Sequence, residues 1–198
     1  MVVRLYLRKN MTIPKFLFHY YELDNGPFRN ITEYGNEEAE KIQNKISKGW
    51  NSKRPENYIE LRLALEKRIK EKLILKGGKP NRNDPFYFTL GECDWAKSWY
   101  MNPGVIKIPL TDFKPEHISF TYPDSMVSFQ FYDEPKLATY RKDCNGQIFL
   151  LDEMNDLIND YGIPSDEKCL TEERFKYDKY IEAQVWDDEI INEYKNKA

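Results

Sequence analysis

Histidine is nearly absent from this 198-residue chain, with two copies, and cysteine is scarce, with three. The cysteines stand at 93, 144 and 169, far apart and odd in number. They form no CxxC pair and no framework of the secreted, disulfide-stapled kind. Without a Cys/His cluster, a structural zinc site is not expected. Long apolar runs are also missing; none approaches the roughly 20 residues needed to cross a bilayer. Residues 1–10 are mixed and charged, unlike a secretory signal. The expected location is therefore the cytoplasm, of the producing cell or of a host, and Met11 is a second candidate start. Neither charge dominates: 30 Lys and Arg stand against 33 Asp and Glu, a formal net charge of −3. That balance argues against strong non-specific nucleic-acid binding, which needs many cations to displace counterions. The one basic run, 67–82, reads as a solvated helix face. No GxGxxG follows a candidate strand, which excludes dinucleotide binding of the parallel βαβ type.

Aromatic residues are plentiful at 15%, with 14 tyrosines, whose apolar bodies and polar tips suit both cores and pockets. The length suits one domain, 1–198, with a core over about 14–190 and flanking tails at 1–13 and 191–198. A chain of this size buries roughly two-thirds of its unfolded surface and needs no covalent staples. Residues 15–21 (KFLFHYY) read as a buried strand, closed by Asp24-Asn25-Gly26. Pro27 opens a short helix through Tyr34, and Asn36 caps a second one reaching about Lys48. Asn57 starts the longest helix, with Tyr58, Leu61, Leu65, Ile69 and Leu73 at helical spacing and Gly77-Gly78 as its stop. Further strands are expected at 86–90, 105–110, 118–122, 126–132 and 180–186, and helices at 93–101 and 152–161, before a polar tail. Helices crowd the first half and strands follow residue 85, an order that fits an α+β fold.

Three segments carry the candidate chemistry. The first is Phe16-Leu17-Phe18-His19-Tyr20-Tyr21, followed by Asn30-Ile31 and Gly35. The second is Phe86-Tyr87-Phe88-Thr89-Leu90, followed by Trp99-Tyr100. The third is Tyr180-Ile181-Glu182-Ala183-Gln184-Val185-Trp186. Its alternation sets Ile181, Ala183 and Val185 on one face and Tyr180, Glu182, Gln184 and Trp186 on the other. Each motif also has a plainer reading: a core histidine bonded to backbone, core aromatics, and an edge-strand glutamate.

Taken in order, the three resemble the ADP-ribosyltransferases, a family that includes poly-ADP-ribose polymerases, DNA-modifying transferase toxins and RNA 2′-phosphotransferases. The resemblance implies a split β-sheet core and NAD⁺ as co-substrate, with no metal. It assigns His19 to a ribose, Tyr87 with Trp99 or Tyr100 to stacking on the nicotinamide ring, and Glu182 to the ribose beside nicotinamide. Tyr20 and Tyr21, standing where many relatives carry smaller residues, and Arg29 complete the expected NAD⁺-binding set. The implied reaction is mono-ADP-ribosyl transfer to a protein, nucleic acid or small molecule, by a toxin, defence effector or phage-encoded modifier; an antitoxin or inhibitor fits that setting. Tyr180 replaces the second acid of arginine-modifying members. The alternatives are a non-enzymatic nucleotide- or protein-binding module, and removal of an RNA 2′-phosphate. Arg82 is a further phosphate candidate. Asp124 and Ser125, read most simply as a β-turn, are candidates to face the acceptor.

Overall fold

The computed structural model describes residues 12–47, 57–130, 140–165 and 178–195. Among these residues five strands form one sheet: β1 (Phe16–Glu22), β2 (Phe86–Leu90), β3 (Pro103–Pro109), β4 (Ile118–Thr121) and β5 (Glu182–Val185). Their spatial order is β3-β1-β2-β5-β4, and every neighbouring pair is antiparallel. The helices are α1 (Asn36–Ser47), α2 (Tyr58–Leu75), α3 (Asp94–Lys97), α4 (Ser125–Gln130), α5 (Met154–Tyr161) and α6 (Asp188–Lys195). The fold is α+β, with the two longest helices in the first half.

Register decides which side chains share a face, because side chains directly opposite one another across strands point the same way. Glu182 lies opposite Thr89 on β2 and Thr121 on β4; Gln184 lies opposite Tyr87 and Ser119. One face of the sheet is therefore polar at its centre. The other face carries Leu17, Ile108, Phe88, Ala183, Val185, Ile118 and Phe120, the main core, which α5 covers with Met154, Leu157 and Ile158 and α6 with Ile190 and Ile191. A second core lies on the polar side, where Leu65, Ile69 and Leu73 of α2 meet Phe129, Ile148 and Trp186. Placing α2 there brings its charged residues against the sheet.

Pairing along the sheet is uneven. β1 pairs with β3 over seven residues, from Phe16↔Pro109 to Glu22↔Pro103. It pairs with β2 at two positions, Leu17↔Leu90 and Phe18↔Thr89, and beyond these the strands part. The fork opens beside Tyr87 and His19.

Several expectations change. Residues 126–132 are not a strand: Asp124 Oδ1 accepts the Val127 N–H at 3.0 Å and starts α4, whose Phe129 enters the second core. Residues 131 and 132 lie outside the described set, as does the expected helix end at Lys48. Pro27 opens no helix. Short 3₁₀ turns at Leu23–Asn25 and Ile31–Glu33 flank Phe28, whose φ is 56°. Pro103 and Gly104 begin β3 rather than break the chain, and the ring of Tyr21 lies across Gly104, where any Cβ would collide with it. Residues 191–195 are not a tail, since they complete α6 and Ile191 is buried. The α2 stop holds: Gly77 adopts φ 93°, and the Gly78 N–H returns to Leu73 O at 2.8 Å. Among the described residues no helix is long and apolar enough to cross a membrane, and no group of three or more His, Cys, Asp or Glu side chains is arranged to hold a metal.

Candidate active site

Glu182 begins β5, an inner strand, so it is not an edge residue; its side chain is 5% exposed. Gln184 donates to Glu182 Oε1 at 3.0 Å and to Thr121 Oγ1 at 3.0 Å. Ser119 donates to Gln184 Oε1 at 2.8 Å and receives the Trp186 indole N–H at 3.0 Å. This chain of bonds runs along the polar face and fixes the carboxylate, since each link occupies a donor or acceptor of the next. Burial pushes the Glu182 carboxyl above its ordinary range; Arg62 opposes the shift and Asp124 adds to it.

Tyr87 sits beside this group. Its hydroxyl donates to Glu66 Oε1 at 2.8 Å, and the Arg62 guanidinium lies 4.0 Å from its ring centre. Arg62 and Glu66 occupy successive turns of α2 and are 7% and 2% exposed. Glu66 also accepts from Asn30 Nδ2 at 3.1 Å, from Thr32 Oγ1 at 2.7 Å and from Arg62 Nη2 at 3.4 Å. Asn30 thus ties the loop after β1 to α2. Burial alone would weaken the Arg62 proton, but Tyr87, Tyr58, Glu66 and Glu182 around it hold its pKa above the ordinary value. Asp124 is half-buried; burial raises its pKa, while the Val127 N–H, Lys179 and Arg62 pull it down.

An aromatic cluster adjoins. Tyr20, Cys93, Ala96 and Tyr180 are buried together, with Phe18, Trp95 and Tyr100 packed against them. The Tyr20 hydroxyl accepts the Cys93 N–H at 2.8 Å, and burial pushes its pKa to about 12. Tyr180 is likewise pushed far up by burial, with Asp124 and Glu182 close enough to add to the shift. The exposed Trp99 meets the Tyr180 ring edge-on at 6.1 Å.

The expected site residues therefore divide. Tyr87, Glu182, Tyr20, Trp99 and Tyr100 gather on one side of the sheet. His19 does not join them. It lies opposite Ile106 on β3, on the apolar side, stacked on Phe28 at 4.7 Å. Both of its ring nitrogens bond backbone: Nδ1 with Tyr87 O at 2.9 Å, and Nε2 accepting the Phe28 N–H at 2.9 Å. That pairing selects the neutral tautomer protonated at Nδ1. Burial drives the pKa of His19 down to about 4, with the Tyr87 bond in partial opposition. Tyr21 shares the His19 side, 6.0 Å from its ring. Arg29 is exposed and lines a concavity of about 510 Å³ with Tyr34 and Lys195, away from the residues around Glu182.

Arg82, the phosphate candidate, and the side chains of Cys93 and Asp187 have structural partners. Arg82 is held by Glu33, Asp188 and the Phe86 ring, which leaves its fork no phosphate-facing role. Cys93 caps α3 through Sγ, and Asp187 accepts the Glu189 N–H at 3.0 Å while its other oxygen meets His117 Nδ1 at 2.8 Å. Arg62 and Glu66 escape a reading of the sequence because they resemble any i,i+4 ion pair on a helix surface. Their one signal is position, flanking the apolar stripe of α2. Comparison of the chain with protein-family models, curated proteins and solved structures finds no match.

Proposed function

We propose that this protein cleaves NAD⁺ at the bond between nicotinamide and ribose and transfers ADP-ribose to an acceptor. The observation that carries the reading is the charge imbalance around Glu182. Three carboxyl groups, Glu66, Asp124 and Glu182, cluster about one buried guanidinium, Arg62, with Lys179 beside Asp124. A largely buried site with more acid than base is stabilised by positive charge. Loss of nicotinamide places such charge on the ribose, in an oxocarbenium-like transition state that a carboxylate stabilises. Glu182 is the group for that task, held by Gln184.

The aromatic cluster supports the same reading, because a flat cationic ring is attracted to aromatic faces. One face of Tyr87 is covered by Arg62, so the ring that stacks there uses the other face, or lies against Tyr180, Trp95 and Tyr100. The fork between β1 and β2 agrees with the split sheet that the resemblance implies. His19 takes a positioning role in this scheme: it ties Tyr87 to the Phe28 turn, and a ribose contact through Nε2 would require the Phe28 bond to open.

The test is transfer of label. The pure protein is incubated with NAD⁺ labelled on the adenylate, in a cell lysate that supplies acceptors. The reading predicts label fixed to a macromolecule together with free nicotinamide. Intact NAD⁺ after prolonged incubation would contradict it.

A further inference from the structure

Exposed apolar residues are unevenly spread over the protein. Among the described residues seven large hydrophobic side chains are well exposed, and four of them, Leu23, Trp99, Met101 and Val105, lie in β3, in the segment leading into it or in the turn after β1. Apolar residues gathered at a surface mark contact sites. Residues 98–102 form neither helix nor strand, and Glu22, the last residue of β1, fixes them. Its Oε2 accepts the Met101 N–H at 2.9 Å and its Oε1 the Asn102 N–H at 2.8 Å, while Leu23 donates its N–H to Asn102 O at 3.0 Å. Amides held by a carboxylate make charge-assisted bonds, stronger than neutral ones. Trp99 belongs to the segment so held. Its indole meets Tyr180, two residues before Glu182, edge-on at 6.1 Å and stays 43% exposed. Tyr100, by contrast, packs against the cluster of Tyr20, Cys93, Ala96 and Tyr180. Trp99 is therefore the aromatic of this segment with surface to spare for another ring.

We propose that Glu22 is a positioning residue: by holding the Met101 and Asn102 amides it sets the Trp99 indole as a wall against which the nicotinamide ring stacks. The inference rests on the NAD⁺ reading above and adds a residue that touches no ligand, since backbone engages both oxygens of Glu22. Without those bonds residues 98–102 gain conformational freedom. The indole must then be ordered when the ligand binds, and that entropy is subtracted from the affinity. The loss falls on ligands that carry the ring and spares the rest of the dinucleotide. A general structural role for Glu22 would weaken both alike.

The experiment measures binding of carba-NAD⁺, whose nicotinamide cannot leave, and of ADP-ribose, which lacks the ring. Wild type, Glu22→Ala, Glu22→Gln, Trp99→Ala and the double variant Glu22→Ala/Trp99→Ala are titrated by calorimetry, and each is melted without ligand. Glu22→Ala and Trp99→Ala should each weaken carba-NAD⁺ by about tenfold, the scale of one aromatic contact with a cationic ring, and leave ADP-ribose unchanged. Glu22→Gln keeps one accepting oxygen and should fall between wild type and Glu22→Ala; it carries the same comparisons if Glu22→Ala melts below the working temperature. The double variant should bind no more weakly than Trp99→Ala, because Glu22 acts through the indole. Unchanged binding of carba-NAD⁺ by the Glu22 variants would overturn the assignment. Equal losses for the two ligands, or losses that add in the double variant, would also overturn it. Wild type that binds neither ligand and releases no nicotinamide from NAD⁺ overturns the NAD⁺ reading and the role of Glu22 with it.

Discussion

Acidification should weaken this protein through His19. The ring is buried and neutral, with both nitrogens engaged by backbone. Its pKa falls from 6.5 to about 4 on folding. In the unfolded chain the ring gains its proton as pH drops through about 6.5, while the folded ring resists until about 4. The unfolded state binds more protons across that window, so the stabilisation is fully present above 6.5 and is lost as pH approaches 4. The whole difference is about 3 kcal/mol, a large share of the 5–15 kcal/mol typical of a domain. Glu182 and Asp124 act in the opposite direction, since their raised pKa values add stability at low pH that is lost as pH rises. A matched variant removes that background. His19→Gln retains one donor and one acceptor of similar reach and does not titrate. Urea midpoints for both proteins between pH 7 and 4 give the difference directly. Wild type should lose about 3 kcal/mol relative to His19→Gln across the window. Parallel curves would refute the reasoning and show that the folded ring accepts a proton as readily as the unfolded one.

Removal of Glu66 should be severe. Glu66→Ala removes the ion-pair partner of the buried Arg62, takes the acceptor from the Tyr87 and Thr32 hydroxyls and leaves Asn30 Nδ2 with its Pro85 bond alone, at a cost of about 3–5 kcal/mol read as a lowered urea midpoint. In the C-terminal helix, Ile191→Ala should cost about 2–4 kcal/mol by thermal melting, whereas a solvated tail would register nothing. Glu182→Gln should leave stability unchanged or higher at pH 7, because it removes a buried charge while the Gln184 bond to Oε1 survives.

The sequence and the fold agree where pattern has a physical reason to dominate. The alternation of Glu182 to Trp186 placed the acid and the apolar residues on opposite sides, because β5 is flanked by strands on both edges and each face meets a different layer. The stripe of α2 was equally legible, since Leu65, Ile69 and Leu73 all enter one core. Residues 126–130 misled because Val127 and Phe129 suit a strand by propensity, while the Asp124 cap and the slot for Phe129 are tertiary facts. Helix α6 spans eight residues, too short for its apolar spacing to stand out from its charges. His19 was undecidable from sequence: a strand histidine serves as ligand or as core, and its bonds to Tyr87 and Phe28 depend on how two distant segments meet.

The central claim is that Glu182 promotes departure of nicotinamide from NAD⁺. The most direct measurement is free nicotinamide released by wild type and by Glu182→Gln in parallel, with a melting curve on the same samples. The account predicts a rate about 10²–10³-fold lower in the variant at equal or higher melting temperature. Equal release by both proteins would contradict it, and would make the buried carboxylate a structural element of the sheet.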